Sequence, residues 1–181
     1  MGSAGRCAVL TYRTGVRDAN AAGDVHGGWI MKLCDDAAAI AASRHARRRV
    51  VTAAVDSMRF LEPVRLHDIL TLRATVNAAW RTSMEVGVRV EAEDVLAGQI
   101  RHTLTAYLTV VALDEQGRPT AVRSLVPHTG EEQERWRDAN LRRAIRIADR
   151  DGLRELCGGP DGRSRPANRD RGGPITRRHE P

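Results

Sequence analysis

The residues of this 181-residue chain best placed to do chemistry lie between Arg17 and Asp36. There a polar loop holding Asn20, Asp24 and His26 runs into Gly27-Gly28 and then into a segment carrying Asp35 and Asp36. Paired glycines let backbone N–H groups come close to a ligand, and the first turn of a helix leaves those groups unpaired at the positive end of its dipole. Such a place can hold a developing oxyanion. Asp35 lies two helical turns after Gly28, so at ~100° per residue the two fall within ~20° of one face. A carboxylate thus shares the face that begins at the donor-rich end.

Each of these residues also has a plain structural reading. Asp35 could pair with Lys32 three residues before it, although Asp36, at four residues, is better spaced for that salt bridge. Asn20 could shape its own loop as an Asx-turn, a role compatible with catalysis. His26 reads as a loop or interface histidine beside the site, and His45, at the helix end, suits the negative dipole terminus. His67, His102, His128 and His179 show no ligand spacing, so no metal site is expected. Ser83 lacks the G-x-S-x-G setting of a serine nucleophile, and neither a Walker loop nor a dinucleotide glycine motif is present.

These residues need a frame. A chain of this length with 41% hydrophobic residues can build one domain with a real core. Cys7, Cys34 and Cys157 are widely spaced and odd in number, against a disulfide framework. The N-terminus lacks a signal-peptide apolar region and no apolar run is long enough to span a bilayer, so a cytoplasmic location without membrane insertion is expected. The net charge is +6, and a large part of the excess sits among the arginines after Gly158. No aromatic interleaving or recognised module accompanies them, so nucleic acid is not an expected partner.

A first strand is read at 7–16. Trp29, Leu33, Ala37, Ile40 and Ala41 then give an apolar stripe on one long helix over 28–46. Alternating segments follow at 50–58, 69–79, 83–93 and 100–113, each with an apolar and a polar face. Four strands in succession need a covered face, and one helix is available to cover it. The expected class is α+β, a hotdog fold with a long central helix wrapped by a curved antiparallel sheet of five or six strands. The helical pattern at 131–156, with Trp136, Leu141, Ala144, Ile145 and Ala148, has a thin apolar stripe to dock on the domain or on a neighbouring subunit. The expected organisation is a domain over 1–128, a charged helix over 129–157 and a disordered tail over 158–181.

At this point the chain resembles the acyl-CoA thioester hydrolases of hotdog type. The matching segments are Asp18-Ala19-Asn20-x-x-Gly23, Val25-His26-Gly27-Gly28, Met31-Lys32-Leu33-Cys34-Asp35, Arg44-His45, Val51-Thr52-Ala53-x-Val55-Asp56, Phe60-x-x-Pro63, Thr82-Ser83-Met84-Glu85-Val86 and Leu125-Val126-Pro127. They run in order through the first two thirds of the chain. His67 and Trp80 stand where bacterial members usually have glycine, which puts bulk at strand ends near a CoA channel.

The resemblance implies hydrolysis of fatty acyl-CoA to CoA and a carboxylic acid, with Asn20 as catalytic loop asparagine and Asp35 as general base or nucleophile. It implies that these two meet across a subunit interface. The helix spacing agrees, since Gly28 and Asp35 lie about 10 Å apart along the axis, too far to share one carbonyl unaided. The Gly28 N–H is expected to polarise that carbonyl. Substrate contacts are expected from Asp24, His26 and Gly27, from Thr82 and Ser83, and from Arg59, Arg81 and Arg101, whose guanidinium groups fit CoA phosphates. No cofactor is expected, CoA entering only as part of the substrate, and self-association to a dimer or to a hexamer of three dimers is expected. The alternatives are a non-catalytic acyl-CoA sensor and a hotdog hydratase, of which Asp24-Val25-His26 is a faint echo.

Overall fold

The computed structural model describes residues 3–157; the expected tail over 158–181 lies outside the described residues. A short 3-10 turn, Ser3–Arg6, leads into β1 (Cys7–Arg13). A second such turn, Val16–Asp18, precedes the loop to α1 (Gly27–Ala46). The strands β2 (Arg49–Phe60), β3 (Ile69–Ala79), β4 (Ser83–Asp94) and β5 (Gln99–Leu113) follow, then α2 (Gly130–Cys157). The five strands form one antiparallel sheet in the order β1-β3-β4-β5-β2, which leaves β1 and β2 as its edges. One helix touches all five strands, as the hotdog arrangement requires.

The core lies between α1 and one face of the sheet. Leu70, Leu72, Ala74 and Val76 of β3, Met84, Val86, Val88 and Val90 of β4 and Leu104, Ala106, Leu108 and Val110 of β5 are buried there, every second residue as the pleat dictates. The helix meets them with Ile30, Leu33, Cys34, Ala37, Ala38, Ala41, Ala42 and His45. That face is turned by about one residue from the stripe expected from sequence. Trp29 and Ile40 are only half-buried at its border, because the alanines that lie close to the sheet supply too weak a contrast to set the phase.

Two strands depart from expectation. β1 stops at Arg13 instead of continuing to residue 16, because the Thr14 N–H and Oγ1 both donate to the Asp68 carbonyl at 3.0 Å and the chain turns away. In β2, register shifts between Thr52 and Ala54 and between Val55 and Ser57 break the alternation. Val51 and Val55, expected to face the core, are each 45% exposed on the edge strand.

The part of α2 up to Arg146 lies over the other face of the sheet, but not by its apolar stripe. Leu141 is 63% exposed, as is much of Ile145. Apart from the fully buried Ala139, the contacts are made by polar side chains. Arg142 reaches the buried Glu85 (2.7 and 3.1 Å) and stacks on Tyr107 at 3.8 Å, and Arg146 pairs with Asp56. Trp80 donates its Nε1–H to Asn140 Oδ1 at 3.0 Å and carries Arg143 over its ring at 4.3 Å, so its bulk is taken up by α2. Residues from Ile147 on form a second compact unit, whose described part is helical.

Candidate active site

The loop before α1 is closed by Asp18. Its carbonyl accepts the His26 N–H at 2.7 Å, and its buried carboxylate accepts the Tyr12 hydroxyl (3.0 and 3.1 Å) and the Gly15 N–H (2.7 Å). Burial and the adjacent Asp18 carboxylate push the Tyr12 phenol above its ordinary 10.0, which keeps it a donor. Within the loop, Asn20 Oδ1 accepts the N–H groups of Ala22 (2.8 Å) and Asp24 (3.2 Å), the Asx geometry anticipated from sequence. This fixes the amide so that its Nδ2 has no acceptor among the described residues and is left to donate to a ligand. Asn20, Asp24 and Gly27 line a cleft of about 380 Å³ whose other wall is Phe60 to Val64.

At the helix N-terminus the expected donor is already engaged. His26 occupies the N-cap position, and its Nδ1 accepts the Gly28 N–H at 2.9 Å. An imidazole acceptor beside an orphan helix N–H satisfies it, as a capping side chain does. Gly28 is therefore not the free oxyanion donor expected from sequence. The neighbouring Gly27 N–H has no acceptor among the described residues, and its Cα faces the ring of Phe60, which a Cβ would meet at 3.3 Å. The same bond engages Nδ1 of His26, the histidine of the hydratase alternative, and fixes its ring.

Asp35 is not in that cleft. It lies exposed on α1, where its Oδ1 accepts the Thr52 Oγ1–H of the edge strand at 2.5 Å. The Lys32 ammonium goes to Asp36 instead, at 2.6 Å, so the plain salt bridge falls to the neighbour. Thr52 was missed from sequence. Its signal was a hydroxyl between Val51 and Ala53 in a run otherwise read for its apolar alternation. One chain thus presents an oriented carboxylate at its open edge and, separately, an amide and helix N–H donors in a cleft.

The remaining expected contacts scatter. Arg81, Thr82 and Ser83 form the β3–β4 turn, where the Trp80 N–H donates to the Ser83 carbonyl at 2.8 Å. Through Val111, Ser83 lies level with Val51, so this turn is two strands across from the Thr52 end of β2. Arg59 sits exposed at the opposite end of β2. Arg101 is corrected outright. Its side chain is 10% exposed and pairs with Asp68 at 2.7 Å while reaching the Pro63 carbonyl at 3.3 Å, which leaves it no fork for a phosphate. Among the described residues no group of histidine, cysteine and acidic side chains could hold a metal ion.

Residues 22–98 match the model of the thioesterase superfamily. An uncharacterized acyl-CoA thioester hydrolase of Bacillus subtilis is 41% identical over 124 residues, which are 68% of this chain and 72% of that protein. The cytosolic acyl coenzyme A thioester hydrolase of Rattus norvegicus is 34% identical over 148 residues, 81% of this chain but 39% of its own longer length. Among solved structures, an apo-hexameric acyl-CoA thioesterase superposes with a TM-score of 0.79 at 34% identity, covering 82% of this chain and 96% of that one. The acyl-CoA hydrolase of Staphylococcus aureus, solved with butyryl coenzyme A and coenzyme A, gives 0.78 at 33% identity, covering 85% and 94%. That enzyme has also been solved with single alanine replacements of an asparagine, of an aspartate fifteen residues later and of a threonine seventeen residues after that. Asn20, Asp35 and Thr52 have the same types, order and spacing.

Proposed function

Because the chain belongs to the acyl-CoA thioester hydrolases of the thioesterase superfamily, we propose that it hydrolyses fatty acyl-CoA to free CoA and the carboxylic acid, at sites shared between two copies of itself. The observation that carries this reading is the Thr52–Asp35 bond of 2.5 Å, which holds a carboxylate in one orientation at an edge strand whose own apolar side chains are uncovered. A second copy pairing along β2 would cover Val51 and Val55. It would bring Asp35 toward the partner's cleft with Asn20 and Gly27. The solved hexameric thioesterase supports assembly of such dimers into a hexamer.

In the reaction, the thioester oxygen lies at the Gly27 N–H and the Asn20 amide of one copy, which stabilise the charge that develops on it. Asp35 of the other copy takes a proton from water as the water oxygen bonds to the thioester carbon. Thr52 holds Oδ1 and leaves Oδ2 for that proton. Collapse of the tetrahedral intermediate breaks the C–S bond, and the proton on Asp35 passes to the departing CoA sulfur. Asp24 and His26 shape the entrance, while Arg59, Arg81, Thr82 and Ser83 remain available to the CoA arm. The chemistry calls on no metal or redox group. The cytosolic rat relative supports a cytoplasmic location, and no described helix is long and apolar enough to cross a membrane.

The test is release of free thiol from acyl-CoA by the purified protein. A single turnover in heavy-oxygen water then separates the two roles open to Asp35. Label only from the second turnover would mean that the carboxylate itself attacks and that water opens the resulting anhydride at the Asp35 carbon, whereas label from the first means that water bonds to the acyl carbon.

A further inference from the structure

A second cleft, of about 730 Å³, opens at the end of the sheet where β1, the turn before β3 and the β4–β5 hairpin converge. Its cationic side carries Arg13, Arg65 and His67, all exposed. Neither arginine has an acceptor among the described residues. Its two acids are engaged elsewhere. Asp68 is buried against Arg101, and Asp94 Oδ1 accepts the N–H groups of Leu96 and Ala97 at 3.1 Å. The opposite wall is apolar, with Leu66 and Val95, and with Leu96 100% exposed at the hairpin tip. His67 holds a φ of +75°, a conformation that a side chain rarely adopts, and this displays its ring at the rim.

Free guanidinium groups facing an uncovered aliphatic wall suit a ligand with phosphates at one end and a flat base at the other. The cleft adjoins the Asn20 cleft. Val64 lines one and Arg65 the other, and Asp24 is bridged to Arg65 across the gap. We propose that Arg13, Arg65 and His67 bind the phosphates of the 3′-phospho-ADP end of the acyl-CoA, with its adenine on Leu66, Val95 and Leu96. The proposal rests on the hydrolase reading above and moves the phosphate contacts from Arg101, which is unable to make them, to this cleft.

The test compares acyl-CoA with the acyl-pantetheine thioester of the same chain length, which lacks the nucleotide. In the Arg13→Ala/Arg65→Ala double variant, KM for acyl-CoA should rise about tenfold or more, with KM for acyl-pantetheine and both kcat values unchanged. His67→Gly relieves the backbone and should raise the melting temperature while also raising KM for acyl-CoA alone. Equal effects on both substrates, or none, would overturn the proposal. If the wild type cleaves neither thioester, the hydrolase reading falls. Calorimetric titration with 3′-phospho-ADP then decides the cleft by itself, binding to wild type with loss in the double variant being the expected result and equal binding the contrary one.

Discussion

Thr52 on the edge strand and Asp35 on the central helix are joined by a hydroxyl-to-carboxylate bond of 2.5 Å, although seventeen residues and the whole helix-to-strand turn separate them in sequence. The bond fixes which carboxylate oxygen is free. Asp35→Ala should therefore lower kcat for acyl-CoA at least ~100-fold with KM little changed, the scale for losing a positioned base. Thr52→Ala should cost about tenfold in kcat, since Asp35 remains but turns freely, and Thr52→Ser should restore most of it. Asp36→Ala, which breaks only the pair with Lys32, should stay active. Steady-state rates on the four variants check this, and a fully active Asp35→Ala protein would remove the mechanism.

That bond also marks how much of the site was legible beforehand. Helix α1 and strands β3 to β5 announced themselves because their core faces keep period to within a residue or two of the expected ends. β2 also lies within two residues of the expected 50–58, but its facing was not legible, because its bulges shift the phase and turn Val51 and Val55 outward. Thr52 stood in a matching segment but was given no role, because its partner Asp35 lies on another element. At the Gly-Gly junction the Gly28 N–H is already taken by the His26 imidazole, and a backbone reading does not anticipate a side-chain cap two residues upstream. For α2 the first of the two expected partners drops out, since the stripe with Leu141 and Ile145 is left exposed by the domain while arginines reach the sheet. Docking on a neighbouring subunit stays an expectation.

Those arginines allow a stability test. Glu85 is buried, and its partners are Arg142 and Asn77. Arg142→Ala strips the counter-charge and should destabilise the fold by about 3 kcal/mol, the scale for breaking a buried ion pair. Replacing both residues, Glu85→Leu with Arg142→Leu, should recover much of the loss, because no buried charge is then left alone. Chemical denaturation of the two variants checks this, and equal losses would mean that the pair matters for its shape rather than its charge.

His45 gives a dependence on pH. It is buried, its Nε2–H donates to the Arg123 carbonyl at 3.0 Å, and burial, with the nearby Arg6 and Arg123 charges, pulls its pKa below the ordinary 6.5. The unfolded chain therefore takes up this proton at a higher pH than the folded one. The stability it contributes is full above pH 6.5 and is lost as pH falls from there through the folded-state value. Melting curves across that range should fall more steeply for wild type than for His45→Gln. Parallel curves would show that His45 is not the titrating group.

The shared site makes the most exposed prediction. Asn20 lines a cleft from which Asp35 of the same chain is absent, so the two can act together only if a second copy brings its Asp35 to that cleft. Asn20→Ala and Asp35→Ala proteins, each inactive, should then regain activity when mixed under conditions of subunit exchange. A mixed dimer has one site with both native residues and one with both lesions. Random exchange makes half of the dimers mixed, so recovery should approach about a quarter of wild-type activity if sites act independently. Native mass spectrometry of the mixture establishes that exchange has occurred. Mixed dimers that recover nothing would place both residues at one chain's own site, or reduce Asn20 to the loop-shaping amide that its bonds to Ala22 and Asp24 already make it.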